Sequence, residues 1–177
     1  EVQKNNFDGT AELQNADHSE TEKNYELIQE KGLLEKWLEE ITKIGIVAFD
    51  TETDSLDATQ ATLIGISLAI ENGKACYIPL RHNPSHQSSL LTDGTSAIRQ
   101  IPFDEAISLL KPMLEDPSIL KIGHNIKYDA LVVQQAKNGS IRLKSVDDTM
   151  CLSYVLEGGL HGHGLDELSE LHFDHTN

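Results

Sequence analysis

Seven consecutive residues, Ile44-Gly45-Ile46-Val47-Ala48-Phe49-Asp50, constrain the fold more than any other segment. The run is apolar, contains β-branched and aromatic side chains, and is short. It predicts a strand buried on both faces. It leads directly into Asp50-Thr51-Glu52. Side chains two apart on a strand share a face, so Asp50 and Glu52 point together from its carboxyl end, where open α/β sheets place their ligands. Two carboxylates held that close repel each other and need a cation or a proton. A hard divalent metal with oxygen ligands satisfies them. On the residues alone, plain solvation of the strand end is the commoner arrangement for Asp-x-Glu.

The rest of the chain supplies partners for this strand. Tyr25-Glu26-Leu27-Ile28 alternates as a short strand, and Leu33, Leu34, Trp37, Leu38 and Ile41 recur at helical spacing over 31–42. Residues 62–71 and 74–80 read as strands joined at Asn72-Gly73, an antiparallel hairpin signal. Residues 82–101 are polar and read as a surface loop. A helical period over 103–115 contains Pro112, which is expected to kink or end the helix. Residues 119–122 form a short strand. A helix over about 125–137 follows, with Asn125 near its N-cap and Asn138-Gly139 as its stop. Residues 147–156 predict a helix with an Asp cap, Gly158-Gly159 a break, and Leu165 to Leu171 one more helix. Strands and helices in this order, with one antiparallel hairpin, indicate an α/β domain on a mixed sheet.

Charge is uneven along the 177 residues. The net charge is −15, and residues 1–40 hold eleven acids against four bases. This excess excludes broad phosphate neutralisation on duplex DNA. It is compatible with a metal-dependent nuclease, whose ions present positive charge to phosphate. Residues 1–23 are acidic, poor in apolar side chains and without period, and read as a flexible linker. No apolar run approaches bilayer length, so no membrane partner is expected. No secretory leader is visible, and without an initiator Met the chain reads as a piece of a longer protein. Cys76 and Cys151 fit no metal or redox spacing and read as buried free thiols in a reducing cytosol.

A second acidic segment is Asn125-Ile126-Lys127-Tyr128-Asp129. At positions i, i+3 and i+4, Asn125, Tyr128 and Asp129 share one helix face. Asp129 lies in the first turn, where the helix dipole favours negative charge. Capping, dipole stabilisation and packing account for these residues equally well when the segment is taken alone.

Together the segments resemble a known family. Asp50-Thr51-Glu52-Thr53-Asp54-Ser55-Leu56-Asp57 is similar to the first exonuclease motif of bacterial family A DNA polymerases, the DNA polymerase I family, and Asn125 to Asp129 is similar to the second. Tyr77-Ile78-Pro79, Leu110 to Asp116 and Asp148-Thr149-Met150 resemble its connecting segments. The resemblance runs from about Tyr25 to the end. It implies a ribonuclease H-like mixed β-sheet with flanking helices, forming a 3′→5′ proofreading exonuclease domain over 24–177. It implies two divalent metal ions, Mg2+ or Mn2+, with Asp50 touching both. Glu52 would hold the ion that activates water, and Asp129 would serve the other mainly through water. Leu56 would wedge against the terminal base, and Asn125 and Tyr128 would line the single-strand path. His124, Leu165 and His163 would add contacts. The implied partners are a single-stranded 3′ end of DNA and a downstream polymerase domain of the same chain, in the bacterial cytoplasm at the nucleoid.

One departure stands out. The family's third motif, Tyr-x-x-x-Asp, does not occur in these residues. The domain therefore reads as truncated at its C-terminal end, with apolar sheet surface left uncovered and little activity of its own. His161-Gly162-His163-Gly164-Leu165-Asp166 fits the His-x-x-x-x-Asp form found in another branch of these exonucleases. It follows Asp129 too closely for the intervening helices, and His163 to Leu168 resembles the start of the helix that precedes motif three. A helix cap and a DNA contact at Leu165 are the reading adopted. The histidines His161, His163, His172 and His175 match no structural zinc spacing and read as a flexible tail. Two rivals stand beside the main reading: a ribonuclease D-like RNA exonuclease, and an exonuclease-like scaffold that has lost activity.

Overall fold

The computed structural model describes residues 23–82, 98–136 and 139–176. The acidic stretch 1–22 and most of the polar loop, 83–97, lie outside the described residues, as do Asn138 and the last residue of the helix expected to reach 137. The elements in chain order are β1 (Asn24–Leu27), α1 (Lys31–Ile44), β2 (Ile46–Thr53), β3 (Leu63–Glu71), β4 (Lys74–Pro79), α2 (Phe103–Glu115), β5 (Leu120–Gly123), α3 (Ile126–Ala136), β6 (Val146–Asp148), α4 (Thr149–Glu157) and α5 (Leu165–Phe173).

The strands form one mixed sheet in the order β1-β4-β3-β2-β5-β6. β3 and β4 are the expected hairpin, paired antiparallel and turning at Gly73, whose φ is 80°. β2 is antiparallel to β3 and parallel to β5, so it is a central strand.

α1 runs two residues beyond the expected helix and ends at Gly45. Gly45 adopts φ 78° and gives its N–H to the Ile41 carbonyl. This left-handed cap is open to glycine at little cost. It starts β2 at Ile46 instead of Ile44. One sheet face carries the core: Val47 and Phe49 of β2, Ile66 and Leu68 of β3, and Cys76 and Ile78 of β4. Against it pack Leu34, Trp37 and Ile41 of α1, Ile107, Leu110 and Leu114 of α2, and Val132 and Val133 of α3. Each such side chain contributes roughly 1.5–3 kcal/mol on burial.

Four expectations are corrected. β2 is buried on one face only, because Ile46, Ala48, Asp50 and Glu52 are exposed while Val47, Phe49 and Thr51 are buried. The helices α1, α2 and α3 draw their buried partners from that one face. Pro112 does not end α2, which continues to Glu115. Met113 and Leu114 are buried beyond it, and their packing holds the last turn. Cys76 is buried, and burial pushes its thiol up to about 12, but Cys151 is exposed. The histidines do not form a loose tail: His161, His163 and His172 meet in and beside α5, as described below.

Lys121 was not anticipated. It is fully buried on β5, and its Nζ donates to the carbonyls of Asp116 (2.8 Å) and Ile119 (2.6 Å), with Met113 at 3.4 Å. These are carbonyls at and after the end of α2, where a cation is favoured. Burial pulls its pKa down.

Candidate functional site

The acids of β2 stand beyond the point where its neighbour ends. β5 pairs with β2 only from Ile46 to Ala48. Past that point the Thr51 N–H is taken by Asp129, whose Oδ1 accepts it at 2.9 Å. The Thr51 hydroxyl donates to the same oxygen at 2.6 Å. Thr51 faces the core and Asp129 is only 3% exposed, so this contact is dry. It brings the first turn of α3 against the strand between Asp50 and Glu52.

The electrostatics follow from that placement. Asp129 is raised to about 6, chiefly by burial, against the lowering effect of the Thr51 hydroxyl, with a further upward push from Asp50. Asp50 is itself raised, by desolvation first and by Glu52 second. Tyr77 is raised by burial and then by Glu52. Among the described residues, no Lys or Arg pairs with Asp50, Glu52 or Asp129. Negative charge is thus gathered without a fixed counter-charge, the condition that a divalent cation relieves.

The three carboxylates do not form a single-ion cage. Ligand atoms on one hard ion stand no further apart than about 4–5 Å. Among the described residues, the one set of three acidic, His or Cys groups whose ligand atoms all lie within 4.8 Å of one another is elsewhere. A pair of ions about 3.5–4 Å apart spreads its ligands more widely, and the donor chemistry, all oxygen, fits that use.

The other expected site residues cluster beside these acids or lie apart from them. Tyr128 grips the loop after β2: its hydroxyl bonds the Thr53 hydroxyl at 2.5 Å and donates to the Ser55 carbonyl. Leu56 lies on that loop and is 99% exposed. The loop is further braced by Asp54, which accepts from Thr62 N–H, and by Asp57, which accepts from Thr59 and Gln60. Asn125 precedes α3 in the left-handed region, φ 58°, and its N–H goes to Asp148. It stands at the N-cap position as expected, directly before Ile126, but without the β-region dihedrals usual there. Asn and Asp tolerate this conformation better than most residues. His124 bonds the Thr149 hydroxyl through Nδ1, while its Nε2 is buried without a partner. Leu165 opens α5 on the cleft between α4 and α5.

His161 makes its contacts within the α4–α5 turn, with Glu157, the Gly162 carbonyl, and the rings of His163 and His172. His163 is buried against Ser153 and Tyr154. α5 starts after Gly164 without a side-chain cap, with Asp166 and Glu167 in its first turn.

Two residues of the site went unnoticed in the sequence, Thr51 and Thr53. Their signal is the alternation Asp-Thr-Glu-Thr, which sends the acids to one side of the strand and the hydroxyls to the other.

Comparison with known proteins gives the family and the fold. Residues 25–176 match the family model of the 3′–5′ exonuclease of DNA polymerase A. DNA polymerase I of Rhizobium leguminosarum is 43% identical over 161 residues, which cover 86% of this chain and 15% of that protein. DNA polymerase I of Pseudomonas aeruginosa is 35% identical over 158 residues, covering 89% and 16%. The chain thus spans about 15% of the length of these curated relatives. Among solved structures, Escherichia coli RNase D, an exoribonuclease involved in structured RNA processing, superposes with a TM-score of 0.62. Its identity is 21%, over 87% of this chain and 34% of that one. Brucella melitensis NrnC with bound Mg2+ gives 0.59 at 20% identity, over 89% and 64%. The shared fold is the ribonuclease H-like mixed sheet with flanking helices.

Proposed function

The chain belongs to the 3′–5′ exonuclease family of DNA polymerase A, and on that premise we propose that Asp50, Glu52 and Asp129 hold two divalent metal ions and hydrolyse the terminal phosphodiester at a single-stranded 3′ end of DNA. The supporting observation is the Thr51–Asp129 contact, which fastens the second acidic segment to the first. Asp50 would touch both ions, Glu52 the one beside the attacking water, and Asp129 the other through water. Such ions, Mg2+ or Mn2+, supply hydroxide near neutral pH and stabilise the leaving 3′ oxygen.

The chain's own residues position the strand. Leu56 wedges against the terminal base from a loop held by Tyr128 and Thr53. Asn125 and Tyr128 line the path, and His124 and Leu165 add contacts. Apolar wedging holds frayed bases with little regard to sequence, which suits removal of mismatched ends. In the parent protein the cleaved end would come from a polymerase domain further along the chain, at the nucleoid in the bacterial cytoplasm.

The test uses the full-length parent and 5′-labelled single strands of DNA and RNA with Mg2+ or Mn2+. Stepwise digestion of DNA, abolished by Asp50→Ala, is expected. A preference for RNA favours the ribonuclease D-like alternative. Absence of digestion by the parent overturns the proposal in favour of an inactive scaffold. The 177-residue chain, which has no Tyr-x-x-x-Asp, is expected to digest DNA little or not at all. Digestion by this chain that is lost on His161→Ala or Asp166→Ala would reassign the missing acid to that segment.

A further inference from the structure

The α4–α5 turn gathers three metal-ligating side chains that the nuclease reading does not use. Glu157 is the last residue of α4, His161 lies in the turn, and His172 is in the last turn of α5. Gly159, at φ 82°, reverses the chain so that His161 folds back over Glu157. Glu157 Oε2 lies 2.9 Å from His161 Nε2 and 3.4 Å from His172 Nε2, and all three donors fall within 4.8 Å of one another. Donors on a tetrahedral ion at about 2.0–2.1 Å stand roughly 3.3 Å apart. The two histidine rings, 6.2 Å apart at their centroids, are nearly perpendicular at 81° and do not stack.

The surroundings orient the donors. His161 Nδ1 faces the Gly162 carbonyl, so that N–H is spent there and Nε2 is the atom directed at Glu157. A ligating histidine commonly fixes its ring in this way. The His161 side chain is only 15% exposed.

We propose that Glu157, His161 and His172 bind one zinc-class divalent transition-metal ion, with the remaining position left to water. Two imidazoles and one carboxylate suit zinc, cobalt or nickel, whereas the all-oxygen set of Asp50, Glu52 and Asp129 suits magnesium or manganese. The chain would therefore sort metals between two sites by donor type. The second site would act as a staple, because α5 buries none of its residues. Polar contacts tie α5 to α4 beside a cleft lined by Leu152, Leu156, Leu165 and Leu168.

The test is calorimetric titration of Zn2+ into the whole chain, free of a histidine tag. An Asp50→Asn/Asp129→Asn background removes the oxygen site. One ion bound with low-micromolar affinity is expected. His161→Ala and His172→Ala should each weaken binding by more than about 30-fold, the order of loss seen for metal-site residues. Glu157→Gln, which keeps the shape of the side chain, should weaken it in the same direction. His175→Ala should leave it unchanged. No low-micromolar binding, or equal binding by the His161 and His172 variants, overturns the proposal. Cobalt provides a check without substitution in the two sites' natural competition. Intense visible absorption of four- or five-coordinate Co2+, displaced by Zn2+, supports the site. A weak six-coordinate spectrum throughout overturns it.

Discussion

β2 and α5 differ in how they are buried. β2 sends Val47, Phe49 and Thr51 into the core and holds Asp50 and Glu52 on its other side. α5 buries none of its residues, and Leu165, Leu171 and Phe173 on it are exposed. α4 buries only Ser153. The two regions are therefore held differently. The position of the acids is fixed by packing, which is cooperative and resists small changes. The α4–α5 hairpin carries separate polar contacts, namely the Asp148 cap on α4, Ser153 with His163, the Gly162 N–H with Glu167, and Glu157 with two histidines, around a half-open apolar cleft. Packing makes the acidic site rigid. The hairpin can open on its own, at a lower free energy than the whole domain.

The contrast can be broken by removing the packing. Phe49→Ala should cost about 3–5 kcal/mol in urea unfolding. Val155→Ala on α4, where the side chain is 83% exposed, should change stability by less than about 0.5 kcal/mol. Comparable losses at both positions would show that α4 is packed in solution.

The next effect is one of pH. In the folded, metal-free chain Asp129 has a pKa of about 6 against its ordinary 3.8, so the folded state holds that proton more tightly than the unfolded one. The stabilisation is complete below about 3.8 and is lost as pH rises through about 6. It amounts to roughly 3 kcal/mol at about 1.4 kcal/mol per pH unit. Carboxylates with lowered pKa values, such as Asp54 and Asp57, act in the opposite sense. The measurement is therefore the difference between the natural chain and Asp129→Asn, both in chelator, at pH 4 and pH 7.5. A difference that does not change with pH would mean that Asp129 is solvated.

Thr51→Val keeps the shape of the buried side chain and removes the hydroxyl donor to Asp129. A hydrogen bond to a charged group of this kind is worth about 1.5–3 kcal/mol, and the loss should appear in global unfolding. Ser153→Ala removes the hydroxyl partner of buried His163 and should cost about 1 kcal/mol. That loss should appear as faster amide exchange confined to α4 and α5, with the exchange of β2 unchanged. Spread of the effect into β2 would join the two regions into one cooperative unit.

The placement of the three candidate acids was largely legible in the sequence because local rules give it. Asp50 and Glu52 share a face by the period of a strand, and Asp129 falls in a first helical turn by the period of a helix. What joins them was not legible. Thr51 and Asp129 are 78 positions apart, and their contact exists because β5 stops at Gly123 and leaves the Thr51 N–H open. Lys121 was silent for a similar reason: a lysine on a short strand signals solvent until a helix end is brought over it. The histidines read as a loose tail because spacing along the chain does not show that they make contacts. Glu157, His161 and His172 meet through a glycine reversal and a helix that folds back, which spacing does not encode.

The sequence by itself determined most of the elements, their order, the mixed sheet and the family, because periodicity, turn residues and motif identity are properties of neighbours along the chain; β6 escaped it, since Asp147 and Asp148 read as the start of a helix that begins only at Thr149. Only the tertiary structure decided which face of β2 is buried. It also decided how burial raises Asp129 to about 6 and that Glu157, His161 and His172 converge. Burial and charge interactions depend on groups far apart in the chain, and their effect falls off over a few ångströms in space, a distance that sequence position does not measure.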